Sequence, residues 1–288
     1  MVTTYKRLPG HVKLRKLKRN LLWERAMRIV TWNVNSLKAR QPFVEAYLDE
    51  QSPDVLCLQE LKLQTDKVPT EIFEARGYDV AVHGQKQWNG VLIASKLGLQ
   101  DVLCGFNDIE QGQSRLIAAT VGGIRLVNVY CPQGQSAQSD KFAYKLRFYD
   151  ELLRWLPGEL QANSTTALLG DLNIAREARD IFDERRFAGQ PSYHPKEHER
   201  WDALLDLGLV DVCKPWLAPG SYTFWDYRGG SWQRDLGMRI DHVLGSANFA
   251  ARCRDARVVR QWRKDRDADK ASDHAPLEIT LSTNELKG

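Results

Sequence analysis

MRIVTWNVNSLKARQPFVEAYLDEQSPDVLCLQE, residues 27–60, reads as strand, helix, strand, and each strand runs out into polar residues. Residues 28–34 and 54–59 have the length and β-branched content of strands. Between them Phe43, Val44, Tyr47 and Leu48 fall at helical spacing, which predicts a helix over residues 42–50 with Pro42 in its first turn. The alternation continues along the chain. Residues 78–82, 91–95, 116–121, 124–130, 166–169, 240–244, 256–260 and 276–281 read as strands, and 141–156 and 194–207 as amphipathic helices. Gly122-Gly123 lies between two strands, where a two-residue hairpin turn requires positive φ at both positions, so antiparallel pairing is expected beside the α/β alternation.

Composition bounds the rest. The chain has 288 residues, 43% hydrophobic and 27% charged, the profile of a globular protein rather than a fibre or a disordered tail. No apolar run reaches the roughly 18–20 residues a bilayer crossing needs, so no membrane partner is expected. Residues 1–26 hold eight Lys or Arg against one acid, Glu24, whereas the remainder is slightly acidic. The first 26 residues are therefore read as a flexible basic extension, with Met27 as an alternative start, and 27–288 as one domain without repeats or linkers. Cys57, Cys104, Cys131, Cys213 and Cys253 are scattered and odd in number, which predicts reduced, buried thiols and a cytoplasmic protein. His83, His194, His198 and His242 are assigned to structure; Pro195 at a helix start accounts for the His194 and His198 spacing better than a metal does.

Polar residues at strand ends carry the chemistry. Asn33, Asn35, Glu60, Asp171, Asn173, Asp241, Asp273 and His274 all sit where predicted strands terminate. In α/β folds such ends open to solvent together and gather groups distant in sequence. Carboxylate and amide oxygens suit a hard cation, Mg²⁺ or Mn²⁺, and a hydrolytic metal site follows as the expectation.

The blocks Trp32-Asn33-Val34-Asn35-Ser36-Leu37, Leu58-Gln59-Glu60, Asn128-Val129-Tyr130-Cys131-Pro132-Gln133-Gly134, Gly170-Asp171-Leu172-Asn173-Ile174, Thr223-Phe224-Trp225-Asp226-Tyr227-Arg228, Arg239-Ile240-Asp241 and Ser272-Asp273-His274-Ala275-Pro276 carry a resemblance. Together, in this order, the chain resembles the exonuclease III family of apurinic/apyrimidinic endonucleases, from Met27 to about Leu281. The resemblance implies a four-layer α/β sandwich of two mixed β-sheets flanked by helices. It further implies Glu60 as the principal metal ligand, with Asn33, Asn35 and Asp273 in the metal shell. Asp171 would orient or deprotonate the attacking water, Asn173 and His274 would bind the scissile phosphate, Asp241 would hold His274, and Tyr130 would contact the phosphate or the leaving oxygen.

An extruded abasic sugar would enter an apolar pocket of Phe224, Met238 and Ile240, with Trp225 adjacent. Lys38, Arg40, Lys62, Asn89 and Arg115 would contact DNA phosphates. Leu61 departs from the threonine usual in its block. The implied partner is double-stranded DNA with abasic or blocked 3′ ends, bound by a monomer with no obligate protein partner. A phosphatase or lipid phosphodiesterase of the same superfamily, or a non-catalytic nucleic-acid-binding module, stands as the alternative.

Overall fold

The computed structural model describes residues 26–106, 113–266 and 269–283; the basic extension, apart from Ala26, lies outside the described residues. The strands are β1 (Ala26–Asn33), β2 (Val55–Gln59), β3 (Asp79–His83), β4 (Val91–Ser95), β5 (Gln100–Cys104), β6 (Leu116–Val121), β7 (Ile124–Tyr130), β8 (Thr166–Asp171), β9 (Val210–Asp211), β10 (Asp241–Gly245), β11 (Cys253–Val258) and β12 (Leu277–Ser282). The helices are α1 (Leu37–Gln51), α2 (Glu71–Glu74), α3 (Asp140–Ala162), α4 (Glu184–Phe187), α5 (Pro195–Asp206) and α6 (Ala247–Arg252).

Two six-stranded sheets form, in the orders β11-β12-β1-β2-β4-β3 and β5-β6-β7-β8-β10-β9. Each is mixed, with a single parallel pair at its centre: β1 with β2, and β7 with β8. A parallel pair needs a long crossover, and α1 and α3 supply the two crossovers. Alternate strand residues then bury in opposite directions. Ile29, Val55, Cys57, Leu126 and Leu169 pack between the sheets. Val30, Trp32, Leu56 and Leu58 face outward against Phe43, Tyr47 and Leu48 of α1. Val127, Val129 and Leu168 face Phe148, Tyr149 and Leu152 of α3 and Trp201 and Leu204 of α5. Helix, sheet, sheet and helix make the expected four layers. Among the described residues no helix is long and apolar enough to cross a membrane.

Several elements differ from the sequence expectation. α1 opens at Leu37 rather than Pro42, because Ser36 Oγ accepts the Ala39 amide and starts the helix earlier. Pro42 is accommodated inside it at the loss of one helical hydrogen bond. β8 runs on through Gly170 to Asp171. β5 and β9 were absent from the prediction: β5 is a largely exposed edge with a register shift between Gln100 and Leu103, and β9 has two residues. Cys104, on that edge, is exposed rather than buried, while the other four cysteines are buried thiols. The Gly122-Gly123 turn forms as expected, with φ of 54° and 77°. His194 caps α5 by accepting the Lys196 amide, and His242 reaches Ile174 O at 2.7 Å, so both are structural.

Candidate active site

The two parallel pairs end side by side, and strand periodicity decides what they present. In β1 the residues facing the other sheet include Ile29 and, four further on, Asn33; in β8 they include Ala167, Leu169 and Asp171. Tyr130 closes β7 as the register partner of Asp171, and Asp241 opens β10 as the partner of Asp171 on its other side. Apolar residues fill the inter-sheet space up to this point. Beyond them a polar floor begins, where Gln59 Nε2 donates to Thr31 Oγ1 at 2.9 Å and across to Asn128 Oδ1 at 2.7 Å. That cross-sheet bond ties the two halves directly beneath the site.

Above the floor Asn33 Nδ2 bridges two carboxylates, 2.9 Å from Glu60 Oε1 and 2.8 Å from Asp171 Oδ2. His274 lies between two more, with Nδ1 2.8 Å from Asp241 Oδ2 and Nε2 3.8 Å from Asp171 Oδ2. Asn35 Nδ2 donates to Asp273 Oδ1 at 2.9 Å. Asn173 donates its backbone amide to Asp171 Oδ1 at 3.0 Å and its Nδ2 to Cys131 O at 2.9 Å. Glu60, Lys62, Asn35 and Asn173 hold left-handed φ between 45° and 55°, a conformation non-glycine residues keep only where surrounding contacts enforce it. Leu61 N to Gly90 O and Lys62 N to Asn89 O pin the turn that does so at Glu60, and Leu61 is fully buried.

The electrostatics follow from burial and neighbours. Burial disfavours the Glu60 carboxylate, but the Lys62 ammonium and the Asn33 amide outweigh it and hold Glu60 below its ordinary range. Burial raises Asp171 to about 7, assisted by Asp241 and Glu60 and opposed by His274 and Asn33. Burial disfavours the His274 imidazolium, yet Asp241 and Asp171 overcome this and carry it to about 10. The proton of this trio therefore resides on the imidazole. Tyr130 is pushed well above its usual value by burial and by Glu60 and Asp171, so its hydroxyl is a donor.

A cleft of about 1260 Å³ opens over these groups, lined by Glu60, Tyr130, Asp171, Asn173, Asp273 and His274 on its polar side. Phe182, Phe187, Phe224, Leu236, Met238 and Ile240 line the apolar side. Phe182, Phe187 and Leu236 were not singled out from sequence, since Phe182 and Leu236 lie in irregular segments and Phe187 ends a one-turn helix too short to show a periodicity. Trp225 does not belong to the cleft. It is fully buried, its indole N–H donates to Asp235 Oδ1 at 3.0 Å and Arg260 covers its ring, so it is a core residue rather than a DNA contact.

Of the other expected phosphate contacts, Lys38 is exposed, whereas Arg40 is engaged with Asn35 O at 2.9 Å and Tyr227 Oη at 2.6 Å. Asn89 donates to Gln85 and Gln113, and Arg115 to Gln113 and Tyr130 O.

The donor set suits a hard divalent cation. Asp171, Asp241 and His274 present ligand atoms within 4.8 Å of one another, and Glu60 and Asp273 add carboxylates to the same cleft. On the other side of the cleft Glu60, Asn35 and Asp273 present oxygens that here accept from Asn33, Lys62 and Asn35.

The sequence pattern of the Endonuclease/Exonuclease/phosphatase family matches residues 30–274. Exodeoxyribonuclease III of Haemophilus influenzae is 35% identical over 265 residues, covering 87% of this chain and 98% of its own. The structure of a 3′ phosphatase from Neisseria bound to product DNA hairpin superposes with a TM-score of 0.85 at 40% identity, covering 89% of this chain and 99% of that one. An AP endonuclease from Archaeoglobus fulgidus superposes at 0.82 with 35% identity, covering 88% and 99%. The two mixed sheets, the strand-end cleft and these similarities agree: the chain belongs to the endonuclease/exonuclease/phosphatase family, in the branch of exodeoxyribonuclease III and the apurinic/apyrimidinic endonucleases.

Proposed function

We propose that this protein is a Mg²⁺- or Mn²⁺-dependent DNA-repair phosphodiesterase that cleaves the backbone 5′ to abasic sites and also removes blocking groups from 3′ ends. The observation that carries this reading is the Asp171–His274–Asp241 cluster, joined through Asn33 to Glu60, set against an apolar wall of Phe224, Met238 and Ile240. Hydrolysis of a phosphodiester requires an activated water, donors for the non-bridging oxygens and compensation of developing charge. Asp171, with a value near neutrality, accepts a proton from water. His274, held as imidazolium by Asp241, donates to a phosphate oxygen. Tyr130 and Asn173 line the same side of the cleft and complete the phosphate site. Glu60, with Asn35 and Asp273, would hold the divalent cation, which would supply Lewis-acid compensation of the developing charge.

The apolar wall gives the substrate preference. A sugar that has lost its base is extruded most cheaply and fits where a base does not. The relatives named above act in the same chemistry, one as an AP endonuclease and one as a 3′ phosphatase. A duplex with one tetrahydrofuran abasic analogue tests the proposal: a nick on its 5′ side that needs Mg²⁺ and stops with EDTA is expected, and intact substrate with folded protein overturns it. The 40% identity to the 3′ phosphatase favours a second reading in which blocked 3′ ends are the main substrate. A primer ending in 3′-phosphate, assayed beside the abasic duplex, separates the two by relative kcat/KM.

A further inference from the structure

Lys62 is turned inward. Its ammonium donates to Glu60 Oε2 at 2.9 Å and to Asn35 Oδ1, and Asn35 donates in turn to Asp273 Oδ1. Two of the three side chains offered above as the seat of a divalent cation, Glu60 and Asn35, thus already hold a cation belonging to the chain, and the third, Asp273, is tied to them through Asn35. The placement is fixed by the backbone: Glu60 and Lys62 both take φ of 55°, and the amides of Leu61 and Lys62 are tied to Gly90 O and Asn89 O.

We infer that Lys62 is a built-in counter-ion that occupies the metal seat in the metal-free protein and must vacate it when the divalent cation enters. A Mg²⁺ or Mn²⁺ ion bonds its oxygens at about 2.0–2.2 Å, so an ammonium kept on the same Glu60 oxygen sits only a few ångströms from a double positive charge. Lys62 therefore competes with the metal rather than assisting it. Once displaced, its four-carbon stem carries the ammonium into the cleft, where a DNA phosphate is the natural anion, and metal loading becomes coupled to DNA affinity. This inference rests on the metal-dependent reading proposed above.

The test is Mn²⁺ binding by calorimetry to the full chain at pH 8, without DNA, for the wild type, Lys62→Met and Lys62→Arg. Lys62→Met is expected to bind Mn²⁺ about tenfold more tightly or better, and Lys62→Arg no more tightly than the wild type. In chelator Lys62→Met should melt below the wild type, and Mn²⁺ should raise its Tm by the larger increment, since the metal replaces the missing charge. Mn²⁺ binding that is unchanged or weaker in Lys62→Met overturns the inference alone, as does tighter binding by Lys62→Arg. Absence of Mn²⁺ binding in all three overturns the metal-dependent reading itself, and this inference with it.

Discussion

Asp171 and Asp241 are register partners across the β8–β10 ladder, so two buried carboxylates face each other on one step of a sheet. Like charges so placed repel. The arrangement holds because the His274 imidazolium lies between them, 2.8 Å from Asp241 and 3.8 Å from Asp171. Since the folded-state value of His274, about 10, exceeds its ordinary 6.5, its stabilising contribution is complete below about 6.5 and drains away as pH rises toward 10. Urea unfolding of the wild type across this window should show a decline in stability that His274→Gln lacks. Parallel curves for the two proteins would place the proton elsewhere.

Asp171→Asn should lower kcat by ~100-fold or more while leaving the affinity for abasic duplex within a few-fold, because removing a general base typically costs that much without touching binding. Its carboxylate is the active form, so activity falls as pH drops. Burial sets its value near 7 in the metal-free protein, and a cation beside Glu60 lowers it. The acid limb of kcat/KM in Mg²⁺ should therefore lie below about 7. Retained turnover in Asp171→Asn removes this residue from the chemistry.

The site was legible where chemistry coincides with secondary structure. Asn33, Asp171 and Asp241 could be read as a group because each is the terminal residue of a strand, and strands themselves are marked by short β-branched runs, whereas Tyr130 came only with the family resemblance. The strands at 91–95, 116–121 and 124–130 were bounded correctly for the same reason. What sequence did not reveal depends on contacts between distant segments. The burial of Trp225 follows from Asp235 and Arg260 closing over it, and neither is near it in any periodic sense. Lys62 reads as a free cation until its neighbours Glu60 and Asn35 are brought together. Lys145 did leave a signal, for it shares a helical face with Phe142, Phe148, Tyr149 and Leu152, a face on which a lysine must find a partner.

Gly170 immediately precedes Asp171 with φ of 134°, and a Cβ there would stand 2.0 Å from Val129 O on the parallel neighbour β7. Neither strand can yield, since both lie in the middle of the sheet. Gly170→Ala should destabilise the fold by ~3 kcal/mol or more, read as a large drop in Tm by circular dichroism. An unchanged melting temperature would contradict this close approach of the two strands.

Lys145 of α3 and Glu197 of α5 form an ion pair with no solvent exposure on either side chain. Lys145 Nζ also donates to Asn173 O at 2.7 Å and Gln133 O at 3.3 Å, while Glu197 accepts the Ser192 and His194 amides at 3.1 Å each. The pair thus holds the loop after β8, on which Asn173 projects into the cleft, against the cap of α5. Removing one partner strands a buried charge, and Lys145→Met or Glu197→Gln should each cost ~3–5 kcal/mol in urea unfolding. The double variant should recover part of that loss, because it buries no lone charge. Its kcat should nonetheless stay below the wild type, since Asn173 O has lost the ammonium that fixed its left-handed turn. A double variant with wild-type kcat would show that the loop holds its shape without this pair, leaving Lys145 a role in stability alone.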